Sequence, residues 1–136
     1  MTPSAPPLEV VAAVIERDGS ILIGQRKATA SHPLKWEFPG GKVEPGEDPR
    51  AGLARELREE LAIEAEIGEL IESYDFRYPT SVRTTRLLFY RVTRFLGEPR
   101  NLDFEQITWA DRSSLSTYDF LEGDVAFVSR LSRTPI

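Results

Sequence analysis

The sequence predicts an α/β domain in which a mixed β-sheet is packed by helices. Three observations predict it. The 136 residues suit one domain. Short runs alternate apolar and polar residues and are rich in β-branched side chains, as half-buried strands are. The order of these runs is hairpin, helix, antiparallel strands, helix, which is not the regular alternation of a doubly wound parallel sheet.

Residues 1–7, rich in Pro, are expected to be a short disordered lead, with a single domain over residues 8–136. Leu8 to Arg17 reads as a strand carrying Val10, Val11, Val14 and Ile15, and Asp18-Gly19 as a hairpin turn. Ser20 to Arg26 returns as a second strand, with Ile21 and Ile23 on one face and Leu22 on the other. A surface loop follows over residues 27–35. Trp36-Glu37-Phe38 is a short extended piece, expected to stop at Pro39-Gly40-Gly41. Asp48 is placed to cap a helix from Pro49 to Leu61, with proline at the first helical position. Ile63 to Phe76 is expected to be extended, Tyr78 to Thr80 a turn, and Thr84 to Phe95 one long strand with Leu88, Tyr90 and Val92 on one side. Gly97-Glu98-Pro99 breaks it. Gln106 to Ala110 is a last strand, and short helices are expected at Arg112 to Ser116 and Val125 to Arg133.

Composition narrows the chemistry. Without cysteine, thiolate metal sites, disulfides and cysteine nucleophiles are excluded, and one histidine excludes multi-histidine sites. A formal net charge of −5 disfavours binding to a nucleic-acid polymer, yet leaves room for a phosphate ligand bridged by cations. No apolar run is long enough to span a membrane, and no signal peptide precedes the domain, so cytoplasm is the expected location. A monomer or homodimer is expected.

The informative segment is the Pro49–Leu61 helix. Glu56, Glu59 and Glu60 sit at i, i+3 and i+4 and share a face, beside the apolar stripe Leu53, Leu57 and Leu61. Like charges so close repel, and a hard divalent cation relieves this through oxygen ligands. A solvated glutamate face is the ordinary alternative. Gly52, one turn before Glu56, leaves space for a metal or phosphate, or for packing.

The surroundings of the triplet decide between these readings. Gly41, Glu47 and Arg55-Glu56-Leu57-Arg58-Glu59-Glu60-Leu61-Ala62-Ile63 lie at the spacing of G-x5-E-x7-R-E-U-x-E-E-x-G-U, where U is bulky and apolar. This resembles the box of the Nudix hydrolases. The preceding Trp36-Glu37-Phe38-Pro39-Gly40-Gly41-Lys42-Val43-Glu44-Pro45-Gly46 resembles the MutT-like branch. Ala62 stands where the pattern has its last glycine, which puts the ending of the helix in question rather than the ligands.

The resemblance implies a Nudix-like α/β/α sandwich with a mixed β-sheet. It implies a metal site, Mg²⁺ with Mn²⁺ as an alternative, built from Glu56, Glu59, Glu60 and the carbonyl of Gly40. Glu47 joins as a ligand or orienting group, and Arg55 holds the glutamates. Glu56 is the first choice for the base that activates water, with Glu59 and Glu47 as alternatives. Asp103, with Glu105 as its neighbour and rival, resembles a further acidic ligand; a solvated loop is the other reading. Arg26 matches a basic nucleotide contact, and Phe38 and Tyr78 are candidates to stack on a base. Asp124, at the start of the last helix, matches a base-reading position, though it also suits a helix cap. His32 has no assigned role.

The activity implied is hydrolysis of a nucleoside triphosphate, oxidised (8-oxo-dGTP type) or cytosine-containing, to the monophosphate and pyrophosphate. Nucleotide sugars and dinucleoside polyphosphates are the alternative substrates. A non-catalytic nucleotide-sensing module is the alternative from another class, but such modules usually lose box glutamates and carry a DNA-binding segment.

Overall fold

Strand β1 (Leu8–Arg17) is the spine of the domain. In the computed structural model, which describes residues 6–133, it pairs in parallel with β7 (Thr85–Val92) along one edge. Its other edge is shared. Val10 to Ala12 pair with β4 (Gly40–Lys42), whereas Glu16 and Arg17 pair with β2 (Ser20–Gln25). Beyond the Asp18-Gly19 turn, β2 leaves β1 and pairs with β3 (Trp36–Glu37) and β9 (Gln106–Asp111). With β6 (Leu70–Phe76) antiparallel to β7, the result is a mixed seven-stranded sheet.

Both faces of that sheet are covered because each strand alternates its apolar side chains. On one face Val11, Ala13, Ile15, Leu22, Leu88, Tyr90 and Val92 meet Leu53, Leu57 and Leu61 of α1 (Pro49–Leu61). All three leucines are fully buried, each contributing about 1.5–3 kcal/mol. On the other face Ala12, Val14, Ile21, Ile23, Leu87 and Phe89 meet Phe127, Val128 and Leu131 of α2 (Val125–Arg133). This is an α/β/α sandwich.

Several boundaries differ from the sequence expectation. The Pro39-Gly40-Gly41 segment does not end extended structure; Gly40 opens β4, because its lack of a side chain lets it lie against β1. The long strand expected over residues 84–95 is two: β7 stays in the main sheet, and β8 (Arg94–Leu96) turns away to pair with β5 (Glu64–Glu66). Residues 63–76 divide likewise into β5 and β6. The helix expected near residue 112 is a 3₁₀ turn, Arg112–Thr117, and a second 3₁₀ turn, Glu122–Asp124, precedes α2. The expected disordered lead falls largely on residues 1–5, outside those described.

Helix α1 is well delimited. The Asp48 carboxylate accepts from the N–H groups of Arg50 and Ala51 at 3.1 and 3.2 Å. At the other end Ala62 adopts the left-handed conformation, φ 57° and ψ 35°, and its N–H reaches the Arg58 carbonyl at 3.1 Å. The helix therefore ends as glycine would end it, with alanine carrying the strain. Ala62→Gly is expected to raise stability by about 1 kcal/mol with activity kept. Urea denaturation monitored by circular dichroism measures it; a destabilised variant would contradict this account of the terminus.

Candidate active site

The glutamates of helix α1 differ in burial. Glu60 points inward, is 7% exposed, and its Oε1 accepts from the Gly40 N–H at 2.9 Å. Burial, followed by the neighbouring charge of Glu37, pushes its carboxyl up to about 9. Glu56 is partly buried and lies against the bare Cα of Gly41, where a Cβ would come within 2.6 Å of its carboxylate. Its proton affinity is also raised, first by burial, against the opposing pull of Arg55. Glu59 is exposed.

Arg55 ties this face together. Its guanidinium pairs with Glu47 at 2.8 and 3.0 Å, Glu56 at 3.1 Å and Glu59 at 3.3 Å. The Arg55 bonds, helped by the Glu44 N–H, pull the Glu47 carboxyl down to about 2. Gly52 explains how Glu47 reaches Arg55: a Cβ at this position would lie 2.8 Å from Glu47 Oε1. The space is filled by Glu47, not held open for a metal or phosphate.

The loop after β8 brings a further acid. Arg100 and Leu102 N–H groups donate to the carbonyls of Leu61 and Glu60 at 2.9 and 3.0 Å, satisfying the end of α1. Asn101 clamps Phe104 through both its side-chain oxygen and nitrogen. Asp103, between them, is held on the wall of a cleft of about 310 Å³. Glu105 is not part of that wall; its N–H continues to Gln25. A wider groove along β8, lined by Glu64, Arg94 and Leu96, contains none of these groups.

Asp124 lines the same cleft. The Trp36 N–H and carbonyl bond to Asp119 and Leu121, both at 2.9 Å, and this brings the Glu122–Asp124 turn beside β3. Asp124 is 5% exposed and, among the described residues, makes no side-chain hydrogen bond, so it does not cap α2. Burial, with a smaller contribution from Glu37, pushes its carboxyl up to about 8.

The remaining candidates divide. Tyr78 is half-buried on the cleft wall. Phe38 is 3% exposed, its ring packed among Phe89, Phe120 and Phe127 at 5.2–6.0 Å. It belongs to the core and forms only part of the cleft floor, which corrects the expectation that it stacks on a base. Arg26 lines the cleft but spends all three guanidinium nitrogens on Ser31 and Glu37. Residues without an assigned role line the cleft too, among them Glu37, paired with Arg26 at 3.0 Å, and His32, against Tyr78. Glu37 alternates out of phase with core residues Trp36 and Phe38, the one sequence signal that it faces elsewhere.

Divalent cations suit this donor set. The carboxylates of Glu60, Glu56, Glu37 and Asp103 act on one another electrostatically, and all are hard oxygen donors. The bare Cα of Gly41 leaves the Glu56 carboxylate its space. Among the described residues, no three acidic or histidine side chains are already gathered as a closed cage. Arg55 holds three of the glutamates together instead.

Comparison with known proteins identifies the family. The model of the NUDIX domain matches residues 5–131. The chain is 42% identical over 118 residues to the CTP pyrophosphohydrolase of Escherichia coli K12, covering 87% of this chain and 86% of that one. It is 34% identical over 125 residues to an 8-oxo-dGTP diphosphatase of Haemophilus influenzae, covering 91% and 90%. Among solved structures, a MutT NUDIX hydrolase from Burkholderia pseudomallei superimposes with a TM-score of 0.82 at 27% identity, over 93% of this chain and 98% of that one. With the box carboxylates on α1, the sandwich around them and a family match over nearly the whole chain, this protein belongs to the Nudix hydrolase family.

Proposed function

We propose that this enzyme hydrolyses a nucleoside triphosphate to the monophosphate and pyrophosphate, with cytosine or oxidised guanine as its preferred base. One observation carries the reading. A single cleft is lined by the carboxylates of Glu60, Glu37 and Asp103 and by Asp124, a buried carboxyl that makes no side-chain hydrogen bond among the described residues. Cation-binding carboxylates and a buried polar group lining one cleft suit a nucleotide. The relatives that act on CTP and 8-oxo-dGTP support the choice of base.

Glu56, Glu59, Glu60, the Gly40 carbonyl and Asp103 are the residues that would hold Mg²⁺ or Mn²⁺. Bound divalent ions supply charge stabilisation for the phosphoryl oxygens. Glu56, whose proton affinity is raised by burial, takes the proton of the attacking water. Arg55 fixes Glu56 and Glu59 relative to Glu47, so that the box keeps its shape as charge moves. The working form is a small-molecule enzyme of the cytoplasm. Reaction in ¹⁸O-labelled water over a panel of dCTP, 8-oxo-dGTP, dTTP, a nucleotide sugar and a dinucleoside polyphosphate tests the proposal. Pyrophosphate and monophosphate are the expected products; dominant release of single phosphate, or faster turnover of the sugar or dinucleotide, would overturn it.

Asp124 reads the base in a way that depends on its proton. An ionised carboxylate only accepts hydrogen bonds, which suits the N–H groups of guanine and rejects the carbonyls of uracil. With its carboxyl raised to about 8, Asp124 is protonated at neutral pH and also donates, as an amide does. The preference for guanine over uracil nucleotides is therefore expected to rise between pH 7 and pH 8.5 in wild type, and to stay flat in Asp124→Asn. Stability follows the same group. A raised folded-state value favours the folded state fully at low pH, and this is lost as pH rises toward about 8. Asp124→Asn removes the loss, so above pH 8 it is expected to be more stable than wild type by about 1–3 kcal/mol. Melting temperatures from pH 5 to 9 measure this; parallel curves for the two proteins would show that Asp124 does not titrate in this window.

A further inference from the structure

At the mouth of the cleft the loop over residues 26–35 meets the turn after β6, and the contact is aromatic. The rings of His32 and Tyr78 lie 4.9 Å apart, tilted by 43°. Their supports differ. Tyr78 packs edge-on against Phe76 at 4.8 Å. Its hydroxyl lies against Gly123, where a Cβ would come within 2.6 Å. Tyr78 is thus seated on the turn that carries Asp124. His32, by contrast, is exposed, and its backbone is left-handed at φ 49°, with Leu34 likewise at φ 62°. Such values are uncommon for residues other than glycine.

That loop is tied down by Arg26. Its Nε donates to the Ser31 carbonyl at 2.7 Å and a terminal nitrogen to the Ser31 hydroxyl at 2.9 Å. The Arg26 carbonyl accepts from the Leu34 N–H at 3.1 Å. The third guanidinium nitrogen is bound to Glu37. Arg26 therefore acts as a positioning residue for the loop. His32 is left covering the face of Tyr78, and both rings line the same cleft as Asp124. A planar base has two faces to stack, and histidine and tyrosine both serve as stacking partners.

We propose that His32 is a base-binding residue, the movable half of an aromatic clamp that parts to take a nucleobase between itself and Tyr78. The base then stacks on both rings and turns its edge to Asp124. This rests on the nucleotide reading above and adds to it a residue that acts on the base alone.

His32 is the single histidine of the chain, so its Cε1–H signal stands alone in a proton NMR spectrum. The experiment titrates the full chain, in Mg²⁺, with non-hydrolysable α,β-methylene analogues of dCTP and dGTP, and separately with inorganic tripolyphosphate. Equilibrium dialysis follows binding independently. The His32 signal is expected to shift as either base-bearing analogue saturates and to stay in place with tripolyphosphate. In kinetics, His32→Ala is expected to raise KM about tenfold with kcat within about twofold, and His32→Phe to restore most of the loss. Saturation by an analogue without a shift, or an equal shift with tripolyphosphate, would overturn the clamp and leave the nucleotide reading standing. Failure of both analogues to bind by dialysis would overturn the two together.

Discussion

Replacing Glu60 by glutamine is expected to lower turnover about a hundredfold or more while the protein remains folded. Glu60 is the most buried carboxylate of the α1 box, and it is fixed by the Gly40 N–H. Glutamine keeps the oxygen that accepts this bond. It also has the shape of the protonated acid, the form that burial favours up to about pH 9. The fold is therefore expected to tolerate the exchange. What is lost is the negative charge that a divalent ion would draw on. Glu59→Gln tests the same idea at a site that is already exposed, and a loss of similar size is expected there. Steady-state kinetics in saturating Mg²⁺, alongside melting curves, separates the two effects. Near-wild-type turnover in both variants would remove these residues from the site, whereas unfolding of Glu60→Gln alone would show that its charge is needed by the fold.

Gly40→Ala is expected to be the most destructive of the single-methyl changes, costing about 3 kcal/mol or more and abolishing activity. Its φ of 154° is one that L side chains rarely adopt, and a Cβ would lie 1.9 Å from the Val11 carbonyl oxygen. The obstacle is backbone of the central strand, which cannot swing aside. Moving it would break the Ala12–Gly40 pairing and withdraw the N–H that holds Glu60. Gly46 is the control. Its φ of 77° also favours glycine, yet nothing lies within 4 Å of the added Cβ. Gly46→Ala should therefore cost about 1–2 kcal/mol and spare activity. Equal losses at the two positions, by denaturant titration, would mean that strain rather than the clash sets the cost.

The residues of the box were legible because their chemistry imposes spacing within one helix. Glu56, Glu59 and Glu60 share a period, and Glu47 and Arg55 are close enough in sequence for their order to be read as a motif. Their unequal burial was not legible. On a helix face the three glutamates look alike, and only packing against β1 and β4 separates inward Glu60 from exposed Glu59. Phe38 failed for a related reason: an aromatic residue next to a functional segment reads equally well as a stacking surface or as core, and Phe89, Phe120 and Phe127 settle it. His32 and Tyr78 are 46 positions apart by their numbering, and no local pattern joins them.

By itself, the sequence determined the local features: the α1 helix from its Asp48 cap to Leu61, the two-faced strands and the carboxylate chemistry. Each depends on periodicity or on the preference of a residue for its own backbone. Tertiary structure alone decided how β1 divides its edge between β4 and β2, and why β8 leaves the main sheet. It also decided which way the Ala62 terminus turns and how Asp103 and Asp124 reach the same cleft. These depend on contacts between segments far apart in the chain, where pairing and burial outweigh local preference.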